Sequence, residues 1–166
     1  MSPARRTATA TACALAVTAL LAAPAEAKVK TTVANRILQL QGGDGSERAR
    51  VRCDDAGDVK VNGRNPKGGA VPCERIVEVD AAMGGGDDTI DFSGITGAFG
   101  EARFPGFGVA TGTAAIGGAG NDRYIPSRAA FNIFYGQAGN DRATGGPARD
   151  VLDGGPGDDR LNGAGG

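Results

Sequence analysis

The chain has 166 residues with 29 Gly, no Trp, 5% aromatic content and a formal net charge of −1, so it holds little of the bulky material that fills a large core. With 18 Lys and Arg against 19 Asp and Glu it lacks the basic excess that phosphate binding requires, which argues against a nucleic-acid partner. The absence of His removes the usual general base near neutral pH and the commonest transition-metal ligand, and so excludes zinc hydrolases and His-dependent triads.

Residues 1–27 read as a signal peptide. Arg5 and Arg6 form a short basic region, Cys13 to Ala23 an apolar run, and Ala25-Glu26-Ala27 a small-residue cleavage site before Lys28. A membrane anchor is the alternative, but the run stops short of the roughly 20 residues a spanning helix needs. The expectation is a secreted, extracellular protein with no membrane insertion after cleavage.

Residues 28–82 show the pattern of short strands. Arg48 to Cys53 (RARVRC) alternates strictly, with Ala49, Val51 and Cys53 on one face and three Arg on the other, the period-2 signature of a half-buried strand. Ile37 to Leu40, Val59 to Val61 and Val71 to Val79 are further candidates, with a polar loop from Asn62 to Gly69. Together they predict a small antiparallel β domain, whose Arg face reads as solvated rather than anion-binding. Cys53 and Cys73, the two cysteines beyond the signal peptide, suggest a disulfide in an exported chain; two free thiols holding a metal are the alternative. Gly42-Gly43-Asp44-Gly45-Ser46-Glu47 is a faint copy of the motif described next, with Glu for Asp, and is assigned no ion.

Over residues 83–166 glycine becomes periodic. Residues 117–125 (GGAGNDRYI) and 154–162 (GGPGDDRLN) fit G-G-x-G-x-D-x-U-x at every specified position, U being a large apolar residue. Residues 136–144 (GQAGNDRAT) lose one Gly and carry Ala143 at U, and 145–153 (GGPARDVLD) carry Ala148 in place of the third Gly. Residues 127–135 (SRAAFNIFY) keep the register with Asn132 at the Asp position, after one extra residue, Pro126. Residues 83–91 (MGGGDDTID) fit with Met83 for the first Gly, whereas 92–116 show no clear unit and read as a loop or worn repeats. Physically, G-G-x-G-x-D makes a tight turn and x-U-x a short strand with U pointing inward. Two nonapeptides complete one coil, so the turns stack, placing one Asp above the next among backbone carbonyls. An all-oxygen cage of this kind suits calcium rather than magnesium.

These units resemble the RTX family of calcium-binding repeats, strongly over 117–162 and weakly at 83–91. The resemblance implies a short parallel β-roll following the antiparallel domain, an all-β chain, with calcium ions held between successive turns. By position it implies that Asp141 and Asp159 bracket one ion, that Asp122 and Asp141 bracket another if Pro126 bulges out, and that Asp150 faces the weaker ligand Asn132 on the opposite side. Carbonyls of Gly117, Gly120, Gly136, Gly139, Gly154 and Gly157 are further donors, and Asp88 is a ligand without an identified partner. A flexible glycine-rich tail is the plain alternative, against which stand the fixed spacing of Asp141, Asp150 and Asp159 and the apolar Leu152 and Leu161. Ordering is expected to require the ion, since stacked carboxylates repel without one.

The sequence ends at Gly163-Ala164-Gly165-Gly166, the opening of a further unit, which is read as truncation of a longer array or as an open edge for self-association or a cell-surface partner. Arg123, Arg142 and Arg160 follow the ligand Asp in three units and are read as solubilising. No nucleophile elbow, dinucleotide fingerprint or P-loop is present, so no enzyme is expected. The alternatives are a cell-surface structural or adhesion module using the roll as a spacer, and a fragment of a larger RTX protein.

Overall fold

A computed structural model describes residues 28–104 and 108–165, so the signal-peptide reading lies outside the described residues. The chain opens with a hairpin, β1 (Lys30–Ala34) and β2 (Ile37–Gln41), turned by Asn35 and Arg36 at positive φ. Such a two-residue turn matches the twist of the strands it joins. After β2 a glycine-rich turn carries the chain into β3 (Arg48–Cys53), which lies in a second sheet and pairs antiparallel with β4 (Val59–Val61). The chain then returns to the first sheet as β5 (Glu78–Gly85) and crosses again as β6 (Thr89–Gly94). This alternation continues through β8 (Gly108–Ala119), β9 (Arg123–Ile125), β10 (Ala130–Ala138), β11 (Arg142–Thr144), β12 (Asp150–Asp153) and β13 (Arg160–Asn162), with β7 (Ala102–Phe104) hairpinned onto β8.

One sheet has the order β1-β2-β5-β8-β10-β12 and the other β13-β11-β9-β6-β3-β4. Pairing is parallel except at β1–β2, β3–β4 and β7–β8. The all-β class holds, but the sheets are mixed and the expected division at residues 82 and 83 does not appear. That point falls inside β5, and β2 and β3 pair in parallel with β5 and β6. The antiparallel pairing expected over 28–82 is confined to two local hairpins. Sequence alternation reveals a half-buried strand but not its partner, which is why the continuous winding was hidden in these residues.

The two sheets close on one core. Ala49, Ile90, Tyr124, Ala143 and Leu161 are in register across the second sheet, opposite Leu40, Ala81, Ala115, Phe134 and Leu152 of the first. The Tyr124 ring stacks on Phe134 at 5.0 Å and meets Phe92 edge-on at 5.9 Å. This bulk lets the small Ala143 sit buried beside it. Burying Phe92 and Phe134 contributes roughly 1.5–3 kcal/mol each. The core thins along the chain, since Leu38, Val51, Val59, Ile76 and Val79 are fully buried whereas Leu161 is 42% exposed.

Cys53 and Cys73 form a disulfide with Cα atoms 6.1 Å apart, tying the end of β3 to the approach to β5. On the chain-entropy model this closure stabilises by roughly 3 kcal/mol. The strand expected over Val71–Val79 begins only at Glu78. Pro72 lacks an N–H to give to a ladder and leads into a single 3-10 turn, Cys73–Arg75. Residues 92–116, expected as a loop or worn repeats, carry Phe92, Ile95 and Phe99 into the core and then supply β8, a central strand built largely from Gly, Ala and Thr.

Candidate metal centre

The two sheets meet along two edges. At one, which we call the acid edge, five turns stack: residues 42–47, 83–88, 117–122, 136–141 and 154–159. Two side-chain ladders of opposite direction bind them together. At the sixth position of each turn the acid accepts from the backbone of the preceding coil. Asp88 Oδ1 takes the Glu47 N–H at 2.6 Å, Asp122 the Asp88 N–H at 2.8 Å, Asp141 the Asp122 N–H at 2.7 Å and Asp159 the Asp141 N–H at 2.8 Å. At the fifth position the direction reverses. The N–H groups of Asp87, Asn121, Asn140 and Asp158 donate to Ser46 Oγ, Asp87 Oδ1, Asn121 Oδ1 and Asn140 Oδ1 of the coil before. The signal for this second ladder was present in sequence as a polar residue before each acid, but the motif leaves that position unspecified.

Each acid is thereby fixed through one oxygen. The other oxygen, Oδ2, of Asp88, Asp122 and Asp141 is buried without a hydrogen-bond partner, as are both carboxylate oxygens of Glu47. Asp88, Asp122 and Asp141 are each no more than 2% exposed. Burial drives the Asp88 carboxyl up to about 7, with the Asp122 and Glu47 charges adding to the rise and the Glu47 N–H opposing it. Burial likewise takes Asp122 up to about 6, against the hydrogen bond from Asp88 and with the charges of Asp141 and Asp87. Asp141 is raised by burial and by Asp159, and lowered by its hydrogen bond from Asp122. Three stacked carboxyls thus resist ionisation, and among the described residues no ion pair reaches them.

At turns 117–122, 136–141 and 154–159 the first glycine leaves space beside the acid's second oxygen. A Cβ built on Gly117 would overlap Asp122 Oδ2 and stand 2.9 Å from the Gly136 carbonyl oxygen. One on Gly136 would overlap Asp141 Oδ2 and stand 2.6 Å from the Gly154 carbonyl, and one on Gly154 would overlap Asp159 Oδ2. A carboxylate oxygen and a carbonyl oxygen of the next coil therefore face one cradle that a side chain would fill. The fourth-position glycines stack more tightly still: Gly139 sits at φ 141°, and a Cβ there would run into the Gly120 carbonyl, as one on Gly157 would into that of Gly139.

The far edge differs. Asp150 is in register with Asn132, and both its carboxylate oxygens have protein donors. Oδ1 accepts from the Asn132 backbone N–H at 3.2 Å and its Nδ2 at 2.7 Å, and Oδ2 accepts from the Gly146 N–H at 2.6 Å. A Cβ on Gly145 would overlap Asp150 Oδ2 and stand 2.8 Å from the Gly163 carbonyl, so the cradle is present while the orphaned oxygen is not. Asn132 is fully buried and its Oδ1 accepts from Thr113 Oγ1, the Tyr124 hydroxyl and the Ser127 N–H at 2.9–3.0 Å. Here hydrogen bonds do what the acid edge leaves undone.

Residues 135–166 match the family model of the RTX calcium-binding nonapeptide repeat (4 copies). That segment is an array of RTX repeats. No curated protein and no solved structure matches the chain. RTX repeats bind calcium and are typical of secreted bacterial proteins. Among the described residues no helix is long and apolar enough to cross a membrane. No group of three or more His, Cys, Asp or Glu side chains forms a metal-holding cluster among the described residues either.

Proposed function

We propose that the chain is an exported, non-enzymatic calcium-binding protein whose acid edge holds calcium between successive turns of a β-roll. The observation that carries this reading is the row of buried, unpartnered Oδ2 atoms on Asp88, Asp122 and Asp141. An isolated buried carboxylate is expensive, and a hard cation offsets that cost while accepting carbonyl oxygens as its remaining ligands.

Asp122 with the Gly136 carbonyl and Asp141 with the Gly154 carbonyl supply two such positions, with Asp159 closing the second. Asp88, whose Oδ2 is also free, lies between Glu47 and Asp122 on the same ladder. Carbonyls of Gly120 and Gly139, each packed against the glycine of the next coil, and that of Gly157 are the further donors this reading calls on. Asp150 has least need of an ion, because protein N–H groups already satisfy its oxygens. Calcium supplies the positive charge that lets the stacked acids ionise together, so entry into calcium-rich surroundings completes the folding of the later coils, where the apolar core is thinnest.

Isothermal calorimetry and far-UV circular dichroism with calcium, then with magnesium, test this. Calcium uptake with a gain of β signal, reversed by chelator, is expected. Absence of uptake, with an unchanged spectrum, would refute it.

A further inference from the structure

The first turn, residues 42–47, lies outside the RTX match, and its sequence gave no reason to assign it an ion. In the fold it stacks on the turn that follows as the later turns stack on each other. Gly85 N–H donates to the Gly43 carbonyl at 2.8 Å, Asp87 N–H to Ser46 Oγ at 3.1 Å and Thr89 N–H to the Glu47 carbonyl at 2.9 Å. Glu47 occupies the place of the acid. It is 4% exposed, and neither Oε1 nor Oε2 has a hydrogen-bond partner.

From these observations we infer that Glu47 and Asp88, with the Met83 carbonyl, form a further calcium site, held by a glutamate where the RTX turns use aspartate. The inference rests on the calcium reading of the acid edge and extends it beyond the repeats. Two carboxylates share one buried place, with the Glu47 N–H bonded to Asp88 Oδ1 and Asp88 Oδ2 free. The ion pairs among the described residues, Arg50–Asp91 and Lys60–Asp54, bring no cation to either. The cradle recurs as well: a Cβ on Gly42 would overlap the Met83 carbonyl oxygen and stand 2.9 Å from Glu47 Oε2.

Position in the fold accounts for the change of residue. Among the described residues no earlier turn stacks against this one to add a carboxylate or a carbonyl. Glutamate, one methylene longer, offers two free oxygens where Asp88, Asp122 and Asp141 offer one each. Bidentate carboxylates are a common way of filling calcium's six to eight positions when other donors are few.

The competing explanation is a carboxylic acid pair sharing a proton, without metal. Calcium titration of the full chain by calorimetry separates the two, comparing wild type with Glu47→Gln and Asp141→Asn, with circular dichroism in chelator as a folding control. Loss of one calcium per chain in Glu47→Gln, with the remaining sites unchanged, is the expected result. Wild-type stoichiometry and affinity in Glu47→Gln would overturn the inference while leaving the RTX sites standing. Wild type that takes up no calcium would overturn both, and loss confined to Asp141→Asn would sink only the Glu47 site. If Glu47→Gln does not fold, the carboxyl 13C resonance of Glu47 in wild type decides. A shift that follows calcium at constant pH supports the site, and one that follows pH but not calcium overturns it.

Discussion

The backbone N–H of Asp122 donates to Asp141 Oδ1 at 2.7 Å and leaves Asp141 Oδ2 buried with no partner. One oxygen therefore serves the stack while the other is left unpaired, and the two are separable by mutation. In Asp141→Asn the ladder acceptor survives and the charge goes, with the new amide placed near the Gly154 carbonyl. Chelator-treated Asp141→Asn is expected to be about 1 kcal/mol more stable than wild type, since a buried unsatisfied polar atom gains a partner. In saturating calcium it is expected to be less stable. Thermal melts in both conditions check this.

Acid dependence follows from the same row. Asp88, Asp122 and Asp141 have folded-state pKa values above the ordinary 3.8, so the folded chain binds protons more tightly than the unfolded one. Without calcium, stability is greatest at low pH, falls as pH rises from about 4 toward about 7, and then levels. Calcium binds the ionised form, so its stabilising effect grows over the same interval. Melts in chelator and in calcium should show opposite trends with pH, and parallel trends would refute the assignment.

Gln137 holds φ 76°, where the equivalent Gly84 and Gly118 hold 101° and 117°. A side chain in that region costs roughly 1–2 kcal/mol, part of which glycine would return as unfolded-state entropy. Gln137→Gly is expected to raise stability by about 0.5 kcal/mol in denaturant titrations and to leave calcium stoichiometry unchanged.

On the outer face of the second sheet, Arg123, Arg142 and Arg160 lie in direct register on adjacent strands, and no ion pair to them is found among the described residues. Like charges directly opposite oppose pairing. Arg142→Thr should therefore stabilise by a few tenths of a kcal/mol at low ionic strength, and the gain should vanish near 1 M salt, where screening acts within about 3 Å.

Much of the acid edge was legible in the sequence, because the turn motif is local and its spacing fixes the stack. Asp122, Asp141 and Asp159 fall on one ladder, with Pro126 absorbed in the opposite edge. Asp88 lacked a partner in sequence because residues 92–116 carry no clear unit, and the fold brings it against Asp122 and Glu47 all the same. The burial of Glu47 was not legible, because it depends on the turn that stacks above it. The parallel pairing of β2 and β3 was invisible for a different reason: which strand lies beside another is decided by contacts some forty residues away.

Successive acids on the ladder are separated by 41, 34, 19 and 18 residues, yet they make the same hydrogen bond. All the variation in length is taken up on the opposite edge, where the disulfide-bonded loop with β4 and the β7 hairpin emerge. One margin of the molecule therefore behaves as a ruler and the other as a socket. A single residue inserted into residues 117–122 or 136–141 is therefore expected to break the ladder at that rung, where the acid meets the backbone N–H of the coil before it.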